Sequence, residues 1–319
     1  MNRLLQFLAL CVLSSSLWAQ SYPNKPVKLI VPFPAGGPGD IVARIINTKL
    51  GANLGQPVVI ENKVGASAIL GAELVSKAAP DGYTLLVANL PVLSINQLEF
   101  KELPYSAEKD LVPVAMVSVQ PYVIAIKNAI PANNLPEFIA LAKKDPGKYT
   151  YGAQSSSIYL ATELFGNRTG IKMTHVPYKG TAPAMNDLMG GHIDFLLGSI
   201  SAMVPVLNSG KVRPLTVTAT SRSDAAKSVP SYTEFGLKDM TMTSWVVIMA
   251  PAGTPQTVID TLNAAINKTV DSPDVIKSLM QDGVMPQTGT PAMAAAFIKK
   301  ETEQWRAIAK QVGMVPGGF

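Results

Sequence analysis

The amino-acid sequence predicts a protein of the α/β class built as two lobes, and three observations lead to this prediction. Short apolar runs typical of buried strands alternate with segments of helical periodicity, in two successive series. An apolar stretch at residues 112–127, interrupted by Pro121, separates the two series. The chain has 319 residues, a length that favours two domains.

In the first series, strands at residues 27–31, 57–61 and 83–88 alternate with helices that we expect to begin at Asp40 and Ser67. This alternation predicts a parallel sheet with right-handed crossovers. Ligands of such sheets bind beyond the carboxyl ends of the strands. The loops expected there are 33–39, 63–68 and 89–94.

We interpret residues 112–127 as a strand that leaves the first lobe and enters the second, with a hinge at Pro121. The second series has predicted helices at 135–144, 158–167 and 182–189, and strands at 149–153, 173–177, 193–197 and 214–219. A returning strand at 244–250 and helices at 256–270, 272–282 and 291–312 follow. Lobe 1 would therefore comprise residues 20–120 and 243–319, and lobe 2 residues 121–242.

The first 19 residues have the pattern of a secretory signal peptide. Arg3 precedes an apolar run at residues 4–13, and small residues lead to Ala19, where we expect cleavage. A membrane anchor is the alternative, but the run is shorter than the roughly 20 residues that a spanning helix needs. Cys11, the one cysteine, lies in this run, so the mature chain would have no thiol and no disulfide.

The charge balance disfavours nucleic-acid binding. Lysine and arginine number 27 and aspartate and glutamate 22, a formal net charge of +5. The basic residues form no stripe interleaved with aromatic side chains. A mild preference for anionic ligands is all that this excess predicts.

Residues 27–40, VKLIVPFPAGGPGD, contain the most informative pattern of the chain. The segment 32–39, with three prolines and three glycines, follows a strand and leads into a helix N-terminus, a geometry that favours an anion such as a carboxylate. It matches neither the dinucleotide fingerprint nor a P-loop, and a plain strand-to-helix connection is the alternative. The candidate ligand-binding residues of this bend are Phe33, Pro34, Ala35, Gly36, Gly37, Gly39 and Asp40. We expect Asp40 to cap the helix, or to contact a cationic or hydroxyl part of the ligand.

Polar residues also follow other predicted strands of both lobes. Residues 154–157 offer hydroxyls at a helix start, and residues 178–181 offer a phenol and an ammonium. A simple N-cap and a solvated turn, respectively, are the alternatives, and Asp194 could equally be a paired structural carboxylate. The candidate ligand-binding residues outside the bend are Ser67, Asn89, Gln154, Ser155, Ser156, Tyr178, Lys179, Gly180, Thr181, Asp194 and Ser199.

The sequence gives little support for catalysis. The two histidines, His175 and His192, lie on different predicted elements and match no metal-ligand spacing. We therefore expect no enzyme activity, no cofactor and no metal. An exported hydrolase that uses Ser155 is an alternative, but the chain offers no paired histidine and acid for it.

Several segments resemble the periplasmic solute receptors of tripartite tricarboxylate transporters, the Bug-type proteins. They are YPNKPVKLIVPFPAGGPGD at 22–40, GQPVVIENKVGA at 55–66, PDGYTLLVA at 80–88, HVPYKGTAPAMNDLMGGHIDF at 175–195, RPLTVTATSRS at 213–223 and APAGTP at 250–255. The resemblance implies a two-lobed flytrap fold of the periplasmic-binding-protein type. It also implies a periplasmic monomer that holds a small carboxylate with residues 33–39 and 178–181 and delivers it to membrane permease subunits. A receptor that reports to a membrane histidine kinase would share this binding chemistry.

Three departures from the family pattern bear on the ligand. Residues 65–70 are poorer in glycine than the second loop of relatives, residues 89–93 are more apolar, and Tyr159 stands where a histidine is frequent. These apolar walls disfavour citrate and amino acids. They favour a longer ligand, such as a dicarboxylate or an aromatic carboxylate.

Overall fold

The structure is a computed structural model that describes residues 22–237 and 242–314. The predicted signal peptide and Cys11 lie outside the described residues. The strands are β1 (Val27–Val31), β2 (Val58–Asn62), β3 (Thr84–Ala88), β4 (Leu111–Lys127), β5 (Thr150–Ala153), β6 (Thr174–Pro177), β7 (Phe195–Ser199), β8 (Val212–Val217), β9 (Thr243–Pro251) and β10 (Met285–Pro286). The helices are α1 (Pro38–Leu54), α2 (Ile69–Ser76), α3 (Asn96–Glu99), α4 (Leu135–Lys144), α5 (Ser156–Thr169), α6 (Thr181–Gly190), α7 (Ile200–Asn208), α8 (Gln256–Val270), α9 (Pro273–Gln281) and α10 (Pro291–Gln311).

The strands form two sheets that share β4. The first has the order β2-β1-β3-β9-β4-β10, and the second has the order β6-β5-β7-β4-β8. Strand β1 pairs in parallel with β2 and β3, and β5 pairs in parallel with β6 and β7, so each sheet has the predicted parallel part. Every pairing of β4, β9 and β10 is antiparallel. The fold is therefore of the α/β class, with two sheets joined by a shared strand.

The apolar stretch 112–127 forms one continuous strand that pairs in both sheets, as predicted. The pairing of β4 with β9 ends at Pro121, opposite Thr243, and its pairing with β7 begins at Tyr122, opposite Ser199. Proline cannot donate a backbone hydrogen bond, and here it lies where the strand changes partners. Pro121 thus marks the passage between the sheets without ending the strand.

Apolar side chains cover both faces of the first sheet. The β1 sequence VKLIV buries all its residues except Lys28, the pattern of a strand between two layers of helices. On one face the core includes Trp245 of β9 and Trp305 of α10, both almost fully buried. The C-terminal helix α10 therefore packs against the shared strand β4 and beside Trp245 of β9. Among the helices of the described residues, none is both long and apolar enough to cross a membrane.

Candidate functional site

The loops at the carboxyl ends of the strands of both sheets surround one cavity of about 600 Å³. Its lining consists of residues 32–38, 64–68, 89–91, 154–158 and 178–183, together with Asn96, Tyr122, Ser199 and Ser244. The loops after β1, β2 and β3 thus face the loops after β5 and β6. This is the arrangement expected of ligand sites in open α/β sheets.

The structure brings most of the predicted site residues together. Those that line the cavity are Phe33, Pro34, Ala35, Gly36, Gly37, Ser67, Asn89, Gln154, Ser155, Ser156, Tyr178, Lys179, Gly180, Thr181 and Ser199. Gly39, Asp40 and Asp194 lie outside the lining. Sequence reasoning missed Asn96, Tyr122 and Ser244. These residues lie on a helix and on the crossing strands, whereas site residues were predicted mainly in the loops after strands.

The bend between β1 and α1 is shaped by its glycines. Gly36 has a φ of +78°, which favours glycine, and the Gly37 N–H donates to the Pro34 carbonyl at 3.2 Å. Gly37 is the N-cap of α1, and Pro38 occupies the first turn, where its missing N–H costs nothing. The prediction that Asp40 caps this helix is therefore wrong, because the helix begins two residues earlier.

Asp40 stabilises the bend from outside the cavity. Its carboxylate is 2% exposed and accepts hydrogen bonds from the Gly36 N–H at 3.0 Å, from Asn62 Nδ2 at 2.9 Å and from Arg44 at 2.8 and 3.0 Å. Burial by itself would raise the pKa of Asp40, but the hydrogen bonds from Arg44, Asn62 and Gly36 lower it below its usual value. Asn62 also donates to the Phe33 carbonyl at 3.0 Å. Asp40 therefore orients the backbone of the bend.

Gly39 and Asp194 contact other parts of the protein instead of the cavity. A Cβ at Gly39 would lie 3.6 Å from Val87 Cγ1 and 3.7 Å from Phe33 Cδ2, so this glycine lies against the apolar side of the bend. Asp194 accepts from the Thr150 N–H at 2.8 Å and pairs with Lys127 Nζ at 2.6 Å. It precedes β7, at the end of the sheet opposite the cavity.

The loop before α6 meets the bend across the cavity. Gly180 is the N-cap of α6, and a Cβ built on it would lie 3.7 Å from Pro34 Cγ, so the Gly180 backbone lies close to the Pro34 ring. The Tyr178 hydroxyl donates to Asp187 Oδ2 at 2.6 Å. Burial and the neighbouring Asp187 raise the pKa of Tyr178 to about 12. The phenol is thus engaged within its own lobe, and Lys179 is the charged side chain of the cavity lining.

The loops after β3 and β5 meet beside the bend before α1 and the loop before α6. The π-helical turn Pro91–Ile95 contacts α5, and the Ser156 hydroxyl donates to Glu99 Oε2 of α3. Glu99 is 6% exposed, and its burial raises its pKa although the bond from Ser156 opposes this. Asn89 Oδ1 and Gln154 Oε1 are buried without a hydrogen-bond partner among the described residues.

A strained turn follows β2. Ala66, Ser67 and Ala68 have φ values of +46°, +53° and +72°, a conformation that costs each non-glycine residue about 1–2 kcal/mol. Asn96 Nδ2 donates to the Ser67 carbonyl at 3.0 Å and thereby supports the turn. The helix predicted from Ser67 therefore begins only at Ile69. Because strain of this kind accumulates at functional sites, its position on the cavity is informative.

The alternative of a serine nucleophile gains nothing from these contacts. Ser155 Oγ lies 3.0 Å from Ser157 Oγ, and His175 packs against Tyr151 and Tyr159 with ring centroids 5.2 and 5.0 Å apart. Within residues 22–237 and 242–314, no group of three or more histidine, cysteine, aspartate or glutamate side chains is placed to hold a metal ion.

Comparisons with known proteins find similar sequences and similar folds. The profile of the tripartite tricarboxylate transporter family receptor matches residues 42–314. Protein BugT of Bordetella pertussis is 34% identical over 310 residues, covering 96% of this chain and 95% of BugT. The solved structure of R. palustris Rpa4515 with adipate has a TM-score of 0.89 and 31% identity, covering 92% of this chain and 99% of that one. The structure of the periplasmic binding protein BugD has a TM-score of 0.84 and 31% identity, covering 92% of this chain and all (100%) of BugD.

Proposed function

The chain belongs to the tripartite tricarboxylate transporter receptor family, and on this basis we propose that it captures a small organic carboxylate in the periplasm and delivers it to membrane permease subunits. The family consists of solute-binding receptors rather than enzymes. The signal peptide at residues 1–19 would direct its export. After cleavage the protein would act as a monomer without a cofactor or a metal.

The observation that supports this proposal is the meeting of two helix N-termini at one point of the cavity. The bend before α1 and the loop before α6 approach each other at Pro34 and Gly180, and Lys179 adds a positive charge beside them. Backbone N–H groups at helix starts, together with the positive ends of the helix dipoles, favour an anion. A carboxylate at this point would receive charge-assisted hydrogen bonds, which are stronger than neutral ones.

We further propose that the ligand binds by lobe closure. The binding loops come from residues 20–120 on one side and from residues 121–242 on the other, and these would move as the two lobes. A ligand that contacts both sets of loops binds the closed state better than the open one, and this difference in affinity shifts the population toward closure. Tyr122 and Ser244 line the cavity where the chain passes between the sheets, so the hinge would adjoin the ligand.

Calorimetric titration of the purified protein with monocarboxylates, dicarboxylates and tricarboxylates tests the proposal. We expect at least one class to bind, and the variant Lys179→Gln to bind it about tenfold more weakly, because one charge-assisted contact is lost. Lys211→Gln, which changes an exposed lysine away from the cavity, is the matched control and keeps the affinity. Failure of every carboxylate to bind would contradict the proposal.

A further inference from the structure

The cavity has two poles that differ in charge. The first pole is the pair of loops at residues 33–37 and 178–181, which meet at Pro34 and Gly180. The second pole is the pair of loops at residues 89–91 and 154–158, where the π-helical turn Pro91–Ile95 contacts α5. Because β1 neighbours β3 and β5 neighbours β6, the poles lie side by side, offset by about 5 Å, the spacing of adjacent strands.

The first pole is suited to one carboxylate. The N-termini of α1 and α6 open onto it, and neither has a side-chain cap. In α1 the Gly36 and Gly37 N–H groups are already bonded to Asp40 and Pro34, so α1 contributes its dipole and α6 contributes its first N–H groups. Lys179 is exposed and lines the cavity, so its ammonium is available to a ligand. Positive charge in the cavity is concentrated at this pole.

The second pole has no such charge. Its lining combines apolar groups of Leu90, Pro91 and Ile158 with the neutral amides of Asn89 and Gln154. The N-terminus of α5 also lies here, and a carboxyl group of the protein lies beside it, because the Ser156 hydroxyl in its first turn donates to buried Glu99. Ionised, Glu99 would repel a second ligand carboxylate, and protonated, it would still supply no positive charge to hold one.

We propose that the ligand carries a single negative charge and that the second pole selects an uncharged tail. This inference rests on the proposed function and narrows its ligand class to monocarboxylates whose far end is a chain or ring, apolar or hydroxyl-bearing. It replaces the dicarboxylate that the sequence favoured, and it separates this chain from Rpa4515, the relative whose structure contains adipate.

Ligand pairs of equal length test the inference with the wild-type protein. Hexanoate and 6-hydroxyhexanoate are compared with adipate, and benzoate and 4-hydroxybenzoate with terephthalate, by calorimetry at about pH 7.5, where both carboxyls of a free diacid are ionised. We expect a monoanion to bind about tenfold or more tightly than its dianion partner, since the second carboxylate is desolvated without a counter-charge. Equal or tighter binding of the dianion would overturn the inference and leave the carboxylate proposal intact. Binding of neither class would overturn both.

Two variants place the selection at the second pole. Gln154→Lys adds a cation there and should shift the monoanion-to-dianion affinity ratio toward the dianion by about tenfold, whereas Gln154→Met, of similar size, should not. Circular dichroism confirms that each variant is folded before titration. A ratio unchanged in folded Gln154→Lys would refute the assignment of this pole.

Discussion

Replacement of Asp40 by alanine should weaken ligand binding although Asp40 does not line the cavity. The carboxylate accepts from the Gly36 N–H at 3.0 Å and from Asn62 Nδ2 at 2.9 Å, and these two donors belong to the bend and its support. Without Asp40 the bend loses the acceptor that fixes Gly36. We therefore expect a loss of affinity together with a loss of stability.

The size of the stability loss follows from the partners that remain. A hydrogen bond to a charged group contributes about 1.5–3 kcal/mol. Asn62 keeps its bond to the Phe33 carbonyl, and the Gly36 N–H is only partly buried, so the lower limit applies to both bonds. The free energy of unfolding should fall by about 3 kcal/mol in total.

Urea denaturation without ligand measures this change as a shift of the midpoint at constant slope. Lys227→Ala is the matched control, because both side chains of the Lys227–Asp224 ion pair are exposed (77% and 67%), and exposed ion pairs contribute little. Lys227→Ala should leave the midpoint and the affinity close to those of the wild type. Equal losses in the two variants, or no loss of affinity in Asp40→Ala, would refute the role assigned to Asp40.

Three further outcomes are expected. Tyr178→Phe should lower the free energy of unfolding by about 1 kcal/mol because its bond to Asp187 is lost, with less than about a threefold change in affinity by calorimetry; a tenfold loss would show that the phenol contacts the ligand. Ala66→Gly should raise stability by about 1 kcal/mol in urea by relieving a positive φ, whereas Ala52→Gly within α1 should lower it by a similar amount; destabilisation by both would refute the strain. The folded pKa of Asp40 is depressed, so its contribution to the free energy of unfolding is complete above the unfolded pKa of about 3.9 and is lost as the pH falls through the lower folded pKa. Asp40→Asn should therefore flatten the acid limb of the stability–pH curve. An unchanged limb would contradict this.

The order of strands and helices was predictable because apolar periodicity determines it locally. The helices Leu135–Lys144 and Gln256–Val270 have the predicted bounds, and β1 has them too. Helix α7 was not predicted, because Pro205 lies within it and its apolar residues suggested no amphipathic face. The crossing strand β4 was predicted from its apolar residues, whereas its antiparallel partners on either side of Pro121, β9 and β7, are distant in sequence and were not.

The cavity loops were predictable because strand ends in α/β sheets converge, whereas the roles of individual side chains were not. Asp40 has the residue type of a cap or a ligand contact, and only the positions of Asn62 and Arg44 show that it supports the bend. Glu99 gave no signal, since its partner Ser156 lies 57 residues away. The left-handed turn at residues 66–68 depends on Asn96, and no local pattern indicates it.

A crystal structure of the protein with its tightest-binding carboxylate tests the central claim most directly. We expect the carboxylate oxygens within hydrogen-bond distance of backbone N–H groups at residues 180–182, with the bend at residues 34–37 and Lys179 nearby and the uncharged end beside Asn89 and Gln154. A ligand whose carboxylate lies away from both helix N-termini would contradict the account.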